Sequence, residues 1–119
     1  MSTVTPASAL SDAEYQSLAR ALLGSIESQI DRWLQQDVVD IDGARTGGLL
    51  ELGFPNGSNI IVNTQPPLQE IWLAARSGGF HYRRVGGEWR DTKTGEEFYA
   101  VLSRCASEQA GRPLGFEPG

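Results

Sequence analysis

The sequence has one cysteine, Cys105, and one histidine, His81, among its 119 residues. A single cysteine excludes an internal disulfide and any metal site built on several thiolates. His81 has no sequence partner for a metal site, and no nucleophile is paired with a histidine. A basic block is also missing. Neutralising phosphates takes clustered Lys and Arg, so nucleic acid and anionic membrane surfaces are poor partners. No apolar run approaches the roughly 18 residues of a membrane span. Met1 to Leu10 lacks a positive start and a long apolar stretch, so no signal peptide is expected. Together these absences point to a cytosolic protein.

What the chain does have is acid in one place. Lys and Arg number 10, Asp and Glu 15, for a net charge of −5. Between Leu10 and Asp42 stand seven acids (Asp12, Glu14, Glu27, Asp31, Asp37, Asp40 and Asp42) and two bases, Arg20 and Arg32. From Gly43 onward eight acids meet eight bases, so the whole net charge lies in the first third. With 39% hydrophobic residues and aromatics spread along its length, the chain should fold as one domain over residues 1–119, with 1–10 a flexible tail.

Ser11-Asp12-Ala13-Glu14 reads as a capping box, with Leu10 and Tyr15 at the staple positions. Tyr15, Leu18, Leu22, Ile26, Ile30 and Trp33 then follow at spacings of three and four, one stripe of a long helix. The period changes to two at Val39, where Val39 and Ile41 alternate with Asp40 and Asp42 in an expected first strand. Leu50 to Phe54, Asn59 to Asn63, Ile71 to Ala75, Phe80 to Val85 and Glu88 to Asp91 supply the rest. Gly-Gly pairs and Pro55-Asn56-Gly57 mark the turns between several of them. Such close spacing implies an antiparallel meander. A second helix is expected to open with a capping box at Thr94 to Glu97, to bury Phe98, Leu102 and Cys105, and to stop at Gly111 and Pro113. Leu114 and Phe116 are candidate anchors for the tail beyond it.

The fold class is therefore α+β: a two-layer α-β sandwich. An antiparallel sheet of about six strands carries the N- and C-terminal helices on one face. The other face must meet water or a partner. Ile71 and Leu73 alternate with Trp72, which places Trp72 on that open face as a candidate interface anchor. His81, flanked by Phe80 and Tyr82, belongs on the same face; whether it takes part in binding is open. Trp33 and Trp89 fit the core.

Glu27 and Asp31 are one helical turn apart, about 6 Å between Cβ atoms. Asp40 and Asp42 share a face of an extended chain at about 7 Å. If the helix end packs beside the first strand, these carboxylates converge on one edge. Such all-carboxylate sites favour hard cations and bind them softly, without choosing among iron, magnesium, calcium and manganese. A solvated helix face is the plainer account of the same spacing, and Asp12 and Glu14 also suit the helix dipole. No catalytic constellation emerges, so an enzyme is not expected.

Asn56 to Ala74, with its run Asn63-Thr64-Gln65-Pro66-Pro67-Leu68-Gln69-Glu70-Ile71-Trp72-Leu73, closely resembles the central signature of frataxins. Gly78-Gly79-Phe80-His81-Tyr82 and Gly87-Glu88-Trp89 continue it in the style of the bacterial, CyaY-type branch. The likeness spans Glu14 to Phe116. It implies a cytoplasmic protein that binds iron (Fe2+ or Fe3+) weakly and takes part in iron–sulfur cluster assembly. The implied partners are the cysteine desulfurase and the cluster scaffold protein, whose complex it would modulate. By resemblance, metal and desulfurase contact fall to Glu14, Glu27, Asp31, Asp40 and Asp42, with Asp37 nearby. Contact with the assembly complex falls to Asn63, Gln65 and Trp72. A monomer is expected, with oligomerisation on iron left open. An iron chaperone, or a ferroxidase or iron-storage protein, is the alternative. The sequence departs from the family at Arg20, Ser28, Arg32, Leu34 and Ala44, where relatives often carry acids or other polar groups.

Overall fold

The computed structural model describes residues 10–119. The expected tail lies outside the described residues except for Leu10, which packs against the core and whose carbonyl accepts from Gln69 Nε2 at 2.9 Å. The chain runs α1 (Asp12–Gln35), β1 (Asp42–Thr46), β2 (Leu49–Gly53), β3 (Asn59–Gln65), a short 3-10 turn at Pro66–Leu68, β4 (Glu70–Ala75), β5 (Gly78–Val85), β6 (Glu88–Asp91) and α2 (Phe98–Ala110). The six strands form one antiparallel sheet in chain order. No helix among the described residues is long and apolar enough to cross a membrane.

The first helix starts as its sequence dictates. Ser11 Oγ accepts from the Glu14 amide at 3.0 Å, and Glu14 Oε1 accepts from the Ser11 amide at 2.8 Å. Both groups are thereby satisfied at a helix end that leaves its first amides without internal partners. Tyr15, Leu22, Ile26, Ile30 and Trp33 of the expected stripe are buried, joined by Ala19 and Leu23, while Leu18 is half-buried. Across the sheet the inward set is Leu50, Leu52, Ile60, Val62, Ile71, Leu73, Tyr82 and Trp89, all buried. The helices and the inward side chains form a single core on one side of the sheet. Gly43 lets α1 approach β1, because a Cβ there would lie 2.8 Å from Ile30 Cδ1. The β5–β6 hairpin closes on Gly86 and Gly87 at φ 59° and 83°, a pair of left-handed residues that glycine alone adopts cheaply.

Two boundaries differ from the sequence reading. Val39 to Ile41 alternate as expected but do not pair; β1 begins only at Asp42, opposite Gly53. Beyond Gly53 the partner chain turns away, since the Phe54 amide donates to Ser58 O at 2.9 Å. Nothing remains for Asp40 to pair with. The start of α2 also moves, from Thr94 to Phe98. Asp91 Oδ1 accepts from the Lys93 amide at 2.7 Å, the Gly95 amide donates to Asp91 O, and a bridge joins Arg90 to Glu97. These bonds keep the chain folded against β6 until Glu97. Its carboxylate then caps the helix by accepting from the Tyr99 amide at 2.8 Å and the Ala100 amide at 3.1 Å.

The far end of the helical layer follows expectation. Gly111 takes φ 71° after α2, and Leu114 and Phe116 are buried, with Phe116 set edge-on to Trp33 at 4.8 Å. Gln29, buried on α1, receives the Glu117 amide on Oε1 and donates from Nε2 to Glu117 O, both at 2.8 Å. Cys105 is a small buried hydrophobe of α2.

Two tests follow from this packing. Ser11→Ala should cost about 1 kcal/mol of stability in urea unfolding, the usual worth of an N-cap. Glu14 has its pKa lowered, first by the Ser11 amide and then by the Ser11 hydroxyl. A lowered folded-state value stabilises the fold above the ordinary glutamate value, and that gain is lost as pH falls through the lowered one. The penalty of Glu14→Ala should therefore shrink on acidification, and a penalty that does not change with pH would contradict this account. Separately, the Tyr82 hydroxyl is buried without a hydrogen-bond partner among the described residues, and burial, then the charge of Asp91, push its pKa up. Tyr82→Phe should match or exceed the wild type by up to about 1 kcal/mol, because no bond is lost and an unpaired polar atom is removed.

Candidate functional site

The acidic third does not gather into a cluster. Glu14 is committed to the cap of α1. Glu27 projects from α1 toward β1 and accepts from Arg45 Nη1 at 2.6 Å. Arg45 stands on the helix side of the sheet because it pairs with inward-facing Leu50. Asp42 pairs with Gly53 and shares the opposite side with Ala44 and Thr46. The expected convergence of the helix and strand carboxylates is thus divided by the sheet edge, and Glu27 is already neutralised.

Asp37 has a structural reason for its place. It sits at φ 54° just past the end of α1, its amide donating to Leu34 O at 3.2 Å, while the Val38 amide donates to Trp33 O at 2.8 Å. That is a Schellman closure, in which the left-handed position tolerates a short polar residue when glycine is absent. Asp31, Asp37, Asp40 and Asp42 all remain exposed. Among the described residues no three His, Cys, Asp or Glu side chains come close enough together to hold a metal ion. The donors fit a hydrated cation attracted by charge, not a formed coordination cage.

The open face of the sheet is more organised. Register places Asn63 of β3 opposite Trp72 of β4, and Trp72 opposite His81 of β5; one pair further along, Gln65 faces Glu70 and Glu70 faces Arg83. These residues, all on the uncovered side, make a continuous band across three strands. The Trp72 and His81 rings stack at 4.2 Å with 6° between their planes. The indole Nε1 donates to Glu70 Oε1 at 2.8 Å, and Arg83 Nη2 donates to Glu70 Oε2 at 2.9 Å. His81 Nδ1 lies 3.9 Å from Glu70 Oε1. Glu70 is only 6% exposed although it belongs to the open face. Beside the stack lies a hollow of about 210 Å³ whose wall includes Ile61, Asn63, Trp72, Ala74, Phe80 and His81.

The band is fastened from below. Tyr15, buried on α1, donates its hydroxyl to Glu70 O at 2.6 Å and accepts from the Gln65 amide at 3.0 Å. The turn between β3 and β4 is thereby fixed at the place where Gln65 and Glu70 leave the sheet.

The alternation of β4 correctly places Trp72, half-buried, on the open face, and that of β5 exposes His81 there. Sequence reasoning missed Glu70 and Arg83. Glu70 stands two residues before Trp72 and Arg83 two after His81, so strand period alone puts each beside its neighbour. The two-residue turn Arg76–Ser77, which sets Ala75 opposite Gly78, is the remaining clue to their pairing.

The family model of the frataxin-like domain matches residues 8–112. The iron-sulfur cluster assembly protein CyaY of Variovorax paradoxus (strain S110) is 57% identical over 107 residues, covering 90% of this chain and 97% of that protein. The solved frataxin of Psychromonas ingrahamii superposes with a TM-score of 0.81 at 34% identity, covering 91% of this chain and 99% of that one. A trimeric frataxin from the yeast Saccharomyces cerevisiae, complexed with ferrous iron, superposes with a TM-score of 0.63 at 21% identity, over 94% of this chain and 92% of that one; it bears on the fold alone. A helix–sheet–helix sandwich, a matching family model over most of the chain and a bacterial relative identical at more than half of the aligned positions lead to one assignment: the chain belongs to the frataxin family, in its bacterial CyaY-type branch.

Proposed function

We propose that this protein serves iron–sulfur cluster assembly in the cytoplasm as a non-catalytic modulator of the complex between the cysteine desulfurase and its scaffold protein. The observation that carries this reading is the open sheet face. Asn63, Gln65 and Trp72 lie in register there, on a sheet face that neither helix among the described residues covers. A half-buried tryptophan backed by a central strand is the kind of residue that dominates binding energy at protein interfaces. The Variovorax relative is named for iron–sulfur cluster assembly, which agrees with this use of the surface.

Iron is the cargo or effector in this reading, not a resident cofactor. Asp31, Asp37, Asp40 and Asp42 are its best candidates, since they are exposed and acidic. Glu27 and Glu14 contribute less while Arg45 and Ser11 hold them. Binding by such groups is weak, water-rich and sensitive to salt. The same negative surface would attract a partner that presents positive charge, over a distance of about a Debye length.

Cluster formation by the desulfurase and scaffold should change rate when this protein is added at a stoichiometric amount. Equal rates would refute modulation. Trp72→Ala should unfold as cooperatively as the wild type and bind the complex about tenfold more weakly, or worse. Loss of the unfolding transition would instead make Trp72 a core residue. In an anaerobic NMR titration, Fe(II) should shift the amides of Asp31, Asp37, Asp40 and Asp42. Arg45→Gln, which frees Glu27, should tighten that binding, whereas unchanged spectra at millimolar metal would end the iron proposal.

A further inference from the structure

We infer that Glu70 is a positioning residue of the partner-binding face: its buried carboxylate holds the Trp72 indole in the stack on His81, so that the anchor meets its partner already oriented. The inference rests on the reading of that face as the surface that contacts the assembly complex. A carboxylate with 6% exposure on an otherwise uncovered sheet face calls for a physical reason. Such a group stays buried only when its oxygens are paired. Here each oxygen has its own donor: Trp72 Nε1 on Oε1 and Arg83 Nη2 on Oε2. The fold itself does not call on this carboxylate, because Tyr15 is fastened to the backbone carbonyl of Glu70 and not to its side chain.

The geometry constrains Trp72 twice. The hydrogen bond from Nε1 fixes the edge of the indole, and the parallel His81 ring, 4.2 Å away, fixes one of its faces. Arg83 holds the carboxylate from the other side, so the acceptor does not swing away from the indole. A surface tryptophan without these restraints would sample several rotamers and would have to be ordered on binding. Immobilising a side chain of this kind costs enough to weaken binding about two- to tenfold. Because its N–H is already engaged, the indole offers a partner its ring, which suits an apolar or cationic group better than a hydrogen-bond acceptor.

The test uses Glu70→Ala, Glu70→Gln and Trp72→Ala in the full chain, each checked for cooperative unfolding. Glu70→Ala should speed solvent exchange of the Trp72 indole proton, move the ring-current-shifted protons of His81 and weaken binding to the desulfurase–scaffold complex about two- to tenfold. Glu70→Gln keeps an acceptor for the indole and should restore both the slow exchange and most of the affinity. An unchanged indole signal in Glu70→Ala overturns the inference. So does a loosened indole with undiminished binding, or a Glu70→Gln variant as impaired as Glu70→Ala. If Trp72→Ala binds as tightly as the wild type, the reading of the face fails and this inference falls with it. If Trp72→Ala binds weakly while Glu70→Ala does not, the positioning role alone is refuted.

Discussion

The hydroxyl of Tyr15 joins the two layers of this protein at the point where its outer surface is built. It donates to one backbone group of the β3–β4 turn and accepts from another, inside a core where water cannot replace either bond. Leaving those groups unpaired would cost more than the bonds contribute when made. The turn therefore adopts one conformation relative to α1. Gln65 and Glu70 leave the sheet at fixed positions, and the register of β4 against β3 and β5 follows. Trp72, Asn63 and His81 owe their alignment on the outer face to a side chain buried beneath it.

The opposite end of the sheet is looser by construction. β1 is an edge strand exposed along its whole length, and it carries charge on both sides, Arg45 toward the helix and Asp42 away from it. Charged edges discourage pairing with a second sheet. Asp37, Asp40 and Asp42 lie at the start of this edge and on the segment before it, where the backbone leaves α1 through the left-handed Asp37. The molecule thus separates a preorganised aromatic band in the middle of the sheet from a solvated, charge-dominated margin. The first suits specific contact, the second long-range attraction and soft cation binding.

Much of this was legible from residue order. The capping box of α1, its apolar stripe and the alternation of β4 are local patterns, and local patterns survive into the structure when burial supports them. Trp72 was found on the open face because a strand alternates and Ile71 and Leu73 are aliphatic. The misplaced boundaries have nonlocal causes. β1 starts late because β2 has no partner left beyond Gly53, and α2 starts late because Asp91 holds the preceding turn. The Glu27–Arg45 pair stayed hidden for a similar reason. Which way Arg45 points depends on pairing with Leu50, and pairing is a property of two strands.

The clamp of Gln29 on the backbone of Glu117 has a temporal side. The two residues are 88 positions apart, and Trp33 waits on Phe116 across a similar interval. A chain made from its N-terminus exposes α1 well before the segment that completes its packing. Until about residue 117 is free, the amide of Gln29 and the indole of Trp33 lack their native partners, and the first helix can dock on the sheet only provisionally. Contacts of such long separation slow folding, since the loop must close before they contribute. The segment after α2 therefore acts as a latch on α1, whose packing is complete only after that segment has been made.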